Sequence, residues 1–337
     1  MFKFFTGVLL SAGLIAGMTA PGYPFADDEI RFGDTRNQKP VILDMDFSTD
    51  VDDACALRVA INADVVGEIS LKAVTMSVKG PDDINLKAAN GILRYQGLKN
   101  VLIGRSTCNV VDESPYWEVL SGFSDGNFEI QDAVKVWRIV IAESDRKVDI
   151  VTTGYITTLA DFCKSQPDEI SDMSGMEMLN ERVGNIYVTG GSWPEGYDNN
   201  FFYYKETRES LDWILHNVTR PIFFISNDAG GPIPVGGKVT REYPDDPVSK
   251  ALLAWGTDWG RAGWDPMVMY MCMRVDNMEQ AQAEGFGLMP IEFGFDVNTG
   301  ENKWHEVEES NFYRLYRIND DLVYYQNLLD DWCIIKQ

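Results

Sequence analysis

Apolar residues along the chain fall into short unbroken runs, and between the runs they recur at helical spacing. Val41-Ile42-Leu43 is the first run, and helical spacing follows from Asp53 to Asn62. Leu71 to Val78 forms the second, followed by a predicted helix from about Asn85 to Tyr95. The runs Val101–Ile103, Val148–Thr152 and Ile186–Val188 lead to Gly104, Gly154 and Gly190-Gly191 respectively. Helical patterns cover Ala133–Ser144, Ile156–Ser165 and Glu206–His216. A further run, Ile222–Ile225, precedes helical patterns over Val248–Trp255 and Pro266–Arg274. Unbroken apolar runs are the signature of strands buried on both faces. Their alternation with helices implies right-handed crossovers. The predicted fold class is therefore α/β: an open, mainly parallel sheet with helices on both faces. No repeat or low-complexity tract interrupts it. The tail from about Ile291 mixes aromatic and polar residues without a clear period and receives no assignment.

In such sheets ligands bind beyond the carboxyl ends of the strands. The most unusual segment of the chain lies at such a place. Asp44-Met45-Asp46-Phe47-Ser48-Thr49-Asp50-Val51-Asp52-Asp53-Ala54 puts five aspartates in ten residues, directly after the first buried strand. That many carboxylates in a partly dry cleft repel one another. The positive end of the following helix supplies only about half a charge against them. A bound cation is the simplest compensation, and hard oxygen ligands favour calcium or magnesium over zinc. A solvated acidic cap on a helix is the plainer alternative.

Composition narrows the choice of partner. The chain has 337 residues, with 52 acidic against 29 basic side chains and a net charge of −23. A field of that sign repels nucleic acid and anionic lipid, so a small neutral molecule is the expected substrate. Residues 1–20 read as a signal peptide: Lys3, an apolar run from Phe4 to Ala16, then the small-residue site Met18-Thr19-Ala20. Residues 21–37 are polar, broken by Pro and Gly, and read as a spacer. One domain is then expected over residues 38–337, in a secreted or periplasmic protein with no stable membrane span once the signal is removed. Five scattered cysteines without a CxxC pair suggest neither a zinc site nor a disulfide framework, although one or two bridges fit an oxidising compartment.

Three metal-site patterns compete for the aspartate run. An EF-hand needs Gly at its sixth position and Glu at its twelfth, and counting from Asp44 these are Thr49 and Cys55. A magnesium-dependent phosphatase of the haloacid dehalogenase type opens Asp-x-Asp-x-Thr/Val. Asp44 to Ser48 nearly fits, but that pattern leaves Asp50, Asp52 and Asp53 unexplained. The third pattern is the best match. The segment from Asp44 to Ala54 resembles the opening signature of the inosine/uridine-preferring nucleoside hydrolase family. It is similar in particular to a bacterial branch with a longer loop of the form Asp-x-Asp-x-x-x-Asp-Val-Asp-Asp-Ala. Val151 to Leu159, Val188-Thr189-Gly190-Gly191, Asp198-Asn199-Asn200 and Trp264-Asp265-Pro266 resemble further family motifs in the family's order.

The resemblance implies a calcium-dependent hydrolase that splits ribonucleosides into base and ribose. It implies that Asp46, Asp53, the main-chain carbonyl of Thr153 and Asp265 hold calcium, with Asp50 as a further ligand or a support. Asp46 would also take the proton of the attacking water. Asp52 would hold ribose hydroxyls, and Asp198 and Asn200 the 5′ side of the sugar. Trp264 and Trp193 would stack on the base, or serve only as packing. A homo-oligomer is implied as well. The departures are specific: Trp264 stands where the family often has a histidine acid, Val78-Lys79-Gly80-Pro81 lacks a family Asn, Asp198 replaces Glu, and Ser48 replaces Gly. The chain's two histidines, His216 and His305, match no motif. A secreted nucleoside- or sugar-binding protein of the same fold, with little turnover, is the alternative from another class.

Overall fold

A computed structural model of the chain describes residues 38–48 and 50–336. The predicted signal peptide and spacer lie outside the described residues. The strands are β1 (Lys39–Met45), β2 (Ile69–Met76), β3 (Leu102–Arg105), β4 (Ile130–Asp132), β5 (Val148–Thr152), β6 (Val183–Thr189) and β7 (Glu195–Tyr197). They continue with β8 (Ile222–Ile225), β9 (Pro234–Gly236), β10 (Gly260–Ala262), β11 (Phe286–Phe295), β12 (Glu301–Glu306) and β13 (Phe312–Arg317). Among the described residues they form one 11-stranded sheet, ordered β4-β3-β2-β1-β5-β6-β8-β13-β11-β12-β7, and a separate β9–β10 ribbon. Pairing is parallel from β4 across to β13. It becomes antiparallel through β11, β12 and β7.

The large, mostly parallel sheet with helices around it is the architecture expected from the apolar runs. Alternation along each strand divides the core in two. Val41, Leu43, Val151, Tyr187 and Phe223 face one cluster, and Ile42, Ile150, Ile186, Val188 and Phe224 the other. A sheet buried on both faces needs apolar residues at every strand position, which is why these strands were readable as unbroken runs. Among the described residues no helix is long and apolar enough to cross a membrane.

The unassigned tail supplies β11–β13 and the helix Leu322–Cys333. In β12, only Asn302 and Trp304 point inward. One of the two is polar, so the strand shows no apolar alternation in sequence. The five cysteines are free and buried.

The sheet order reverses at β1, which pairs with β2 on one side and β5 on the other. The crevice beyond β1 and β5 is thus the topological switch point where such sheets bind ligands. The helix Asp52–Val65 starts there and is buried from Asp52 to Ala63. A helix buried on every side holds its first turn rigidly, and here the first turn carries two acids.

Candidate active site

The loop after β1 turns sharply at Phe47, a non-glycine residue with φ +48°. Such a backbone costs roughly 1 kcal/mol and persists only when its surroundings hold it. Here they do. The Phe47 amide donates to Asp53 Oδ2 at 3.0 Å, its carbonyl accepts from Trp117 Nε1, and its ring meets Tyr116 edge-on at 5.4 Å. The Tyr116 hydroxyl donates to the Asp50 carbonyl at 2.8 Å. The loop is therefore clamped by two aromatic residues buried beneath it.

β5 brings up the second wall. The Thr153 amide donates to the Asp44 carbonyl at 2.8 Å, and its hydroxyl donates to Asp53 Oδ1 at 2.7 Å. Gly154 lies so close to the loop that a Cβ there would stand 2.2 Å from the Asp46 nitrogen, which only glycine allows. The third wall is the Asn200 side chain, which donates to the carbonyls of Thr153 (2.9 Å) and Thr189 (3.2 Å). The fourth is the start of the helix Trp264–Arg274, where the Asp265 amide donates to Asp52 Oδ2 at 3.2 Å.

These contacts bring Asp46, Asp52, Asp53 and Asp265 together, each no more than 5 % exposed. Burial first, and the neighbouring carboxylates second, raise Asp46 and Asp265 well above the usual carboxylate range. Burial and the charge of Asp50 do the same to Asp52. Asp53 is raised by burial to about 7. Asp46 and Asp53 share a hydrogen bond, and so do Asp53 and Asp265.

The donor set fits a hard cation: carboxylate oxygens, a nearby main-chain carbonyl at Thr153, and neither thiolate nor imidazole. Among the described residues, no group of three or more His, Cys, Asp or Glu is arranged as a finished metal site. The chemistry of the cluster is right for a cation.

Other expected residues have definite places. Asp50 sits at the rim, both of its carboxylate oxygens bound by Arg261 at 2.7–2.9 Å. Asp198 caps the short helix Asn199–Phe202 by accepting from the Asn200 amide at 2.9 Å, and burial raises it to about 6. It therefore holds Asn200 in place. Trp264 is anchored through Nε1 to the Asn227 carbonyl at 2.9 Å, with the Arg261 guanidinium 5.5 Å from its ring centre. Trp193 carries Arg314 over its ring at 4.3 Å. Both tryptophans thus already have a cation over the ring. Asp44 is fully buried below the loop, accepts from Thr75, and is raised by burial to about 7. A phosphatase nucleophile could not work from there. His216 lies exposed in the last turn of the helix Lys205–Asn217, its Nδ1 2.7 Å from the Asp212 carbonyl, and His305 lies on an exposed face of β12. Neither histidine belongs to the site.

Sequence reasoning missed Arg261, Asn227 and Asp112. Asp112 accepts from the Ser48 hydroxyl at 3.2 Å, and its charge is felt at Asp46. Arg261 and Asp112 reach the site across 211 and 64 positions and Asn227 reaches Trp264 across 37, and none belongs to a readable motif.

The fold is shared with solved structures. The inosine-uridine preferring nucleoside hydrolase from Bacillus anthracis is 12 % identical at a TM-score of 0.62, covering 87 % of this chain and 99 % of that one. The purine-preferring ribonucleoside hydrolase from Gardnerella vaginalis is 16 % identical at a TM-score of 0.63, covering 88 % and 98 %. The type III effector protein XopQ, solved with adenosine diphosphate ribose, is 13 % identical at a TM-score of 0.63, covering 89 % and 96 %. No protein-family model and no curated protein sequence matches the chain. The fold is therefore the one shared by these nucleoside hydrolases, and this chain covers 98–99 % of the length of the two named here.

Proposed function

We propose that the protein is a calcium-dependent hydrolase that cleaves the N-glycosidic bond of ribonucleosides, acting outside the cytoplasm. The observation that carries this reading is the cluster of four buried aspartates at the switch point of a nucleoside hydrolase fold. Asp46, Asp53, Asp265 and the Thr153 carbonyl would hold calcium, and Asp50 serves the site from its pairing with Arg261. When bound, calcium would orient the sugar diol and make the attacking water more acidic.

The chain's own residues do the rest. Asp46 takes the proton from the attacking water as general base. Asp52, fixed by the Asp265 amide, accepts from a ribose hydroxyl. Asn200, held by Asp198, borders the 5′ side of the sugar. Breaking the glycosidic bond leaves positive charge on the ribose. A fixed group of carboxylates stabilises that charge more than it stabilises the neutral substrate, and only such a difference raises kcat.

The test is reducing-sugar release from a panel of purine and pyrimidine ribonucleosides, with calcium and with chelator. Calcium-dependent release is expected. Tight binding of a nucleoside or of adenosine diphosphate ribose without release would support the binding-protein alternative.

A further inference from the structure

Arg261 brings a positive charge to the edge of the aspartate cluster, where it opposes the rise of Asp52. It lies in β10, three positions before Trp264. Its Nε donates to both oxygens of Asp50 at 2.8 and 2.9 Å, and Nη2 donates to Oδ2 at 2.7 Å. Its guanidinium lies over the Trp264 ring, whose other edge is pinned to Asn227. The guanidinium is thus gripped by a carboxylate and an indole. Among the described residues Nη1 has no acceptor, and the side chain is 37 % exposed. A planar cation held in this way presents one N–H fork in a fixed direction beside the cluster.

We propose that Arg261 is the group that stabilises the departing base. This rests on the nucleoside-hydrolysis reading above. As the C1′–N bond breaks, its electron pair moves onto the base nitrogen, and Nη1–H donates to the base where that charge collects. The water oxygen bonds to C1′, and the water proton goes to Asp46. No proton leaves the guanidinium, which stays charged throughout; the base nitrogen takes its proton from solvent after the bond is broken. Asp50 is then a positioning residue, fixing Arg261 through Nε and Nη2. In a chain whose two histidines are both outside the site, this arrangement supplies leaving-group stabilisation without an imidazole. A donor prearranged at developing charge contributes about 10²-fold or more.

A purely structural role has a different signature. The Asp50–Arg261 pair ties the catalytic loop to β10, so its loss would slow all substrates alike. The experiment compares ribonucleosides with 4-nitrophenyl β-D-ribofuranoside, whose phenolate leaves readily, for the wild type, Arg261→Gln, Arg261→Lys and Asp50→Asn. For Arg261→Gln, kcat on ribonucleosides is expected to fall about 10²-fold. The fall on the nitrophenyl riboside should be at least about tenfold smaller, so that log kcat depends more steeply on leaving-group pKa. Arg261→Lys should recover part of the loss, and Asp50→Asn should show the same leaving-group dependence more weakly. Equal losses on both kinds of substrate, or no loss on nucleosides, would overturn the inference. If Arg261→Gln does not fold, as judged by melting, the other two variants carry the same test. A wild type that cleaves the nitrophenyl riboside but no nucleoside overturns the inference alone; one that cleaves neither overturns the hydrolase reading with it.

Discussion

Asp246 and Asp53 are both buried aspartates bound up with the helix Asp52–Val65, yet they are compensated in opposite ways. Asp246 receives two hydrogen bonds, at 2.8 and 2.9 Å, from Arg58 in the middle of that helix. Both side chains of this pair are no more than 1 % exposed. Asp53, in the first turn of the same helix, receives only neutral donors and shares hydrogen bonds with two further acids. Where a buried charge serves packing, the fold supplies its counter-charge from within. At the switch point Arg261 reaches only the rim, through Asp50, and Asp53 is bound by neutral donors and neighbouring acids, which fits the proposed role in holding a cation.

The largest effect should come from the charge that is not compensated. Asp46→Asn is expected to lower kcat by about 10³-fold or more while the circular dichroism spectrum and melting midpoint are kept. An unimpaired Asp46→Asn enzyme would remove the general base from the account. Next, the two kinds of aspartate should respond to mutation with opposite signs. Arg58→Ala strands Asp246 and should cost about 3–5 kcal/mol in urea unfolding. Asp53→Asn in chelator should instead raise stability, by on the order of 1 kcal/mol near neutral pH, because it removes a charge that the fold does not compensate. Loss of stability in both would mean that the cluster is held like any structural pair.

Asp198 gives an effect that appears only across a pH window. Its folded value of about 6 lies above the ordinary 3.8. Its contribution is therefore complete below about pH 4 and is lost as pH rises through 6, by roughly 3 kcal/mol at most. Relative to the wild type, Asp198→Asn should gain melting temperature between pH 4 and 7 and not below. A constant difference across that range would assign the shift elsewhere. Smallest of all, Ser48→Ala removes one hydrogen bond to a partly exposed Asp112 and should cost about 1 kcal/mol or less.

The same contrast explains what was legible beforehand. The parallel strands could be read because burial on both faces demands Val41-Ile42-Leu43 and similar runs. The aspartate cluster could be found because Asp46, Asp52 and Asp53 are neighbours in sequence and follow such a run. Asp265 and Thr153 were reachable only through a resemblance, since nothing local marks them. Asp50 was expected as a metal ligand or a support, and its partner Arg261 is 211 positions away. A lone arginine carries no local signal of the carboxylate it will meet. The edge strands β11–β13 escaped for a related reason. Their inward positions include Asn302 and Arg314, so burial there left no apolar pattern to follow.

Calcium titration by calorimetry on the wild type and on Asp53→Asn asks whether the clustered aspartates hold a cation. One calcium per chain is expected for the wild type, with binding lost or weakened at least about tenfold in Asp53→Asn. Absence of calcium binding by the wild type, or equal binding by the variant, would contradict it.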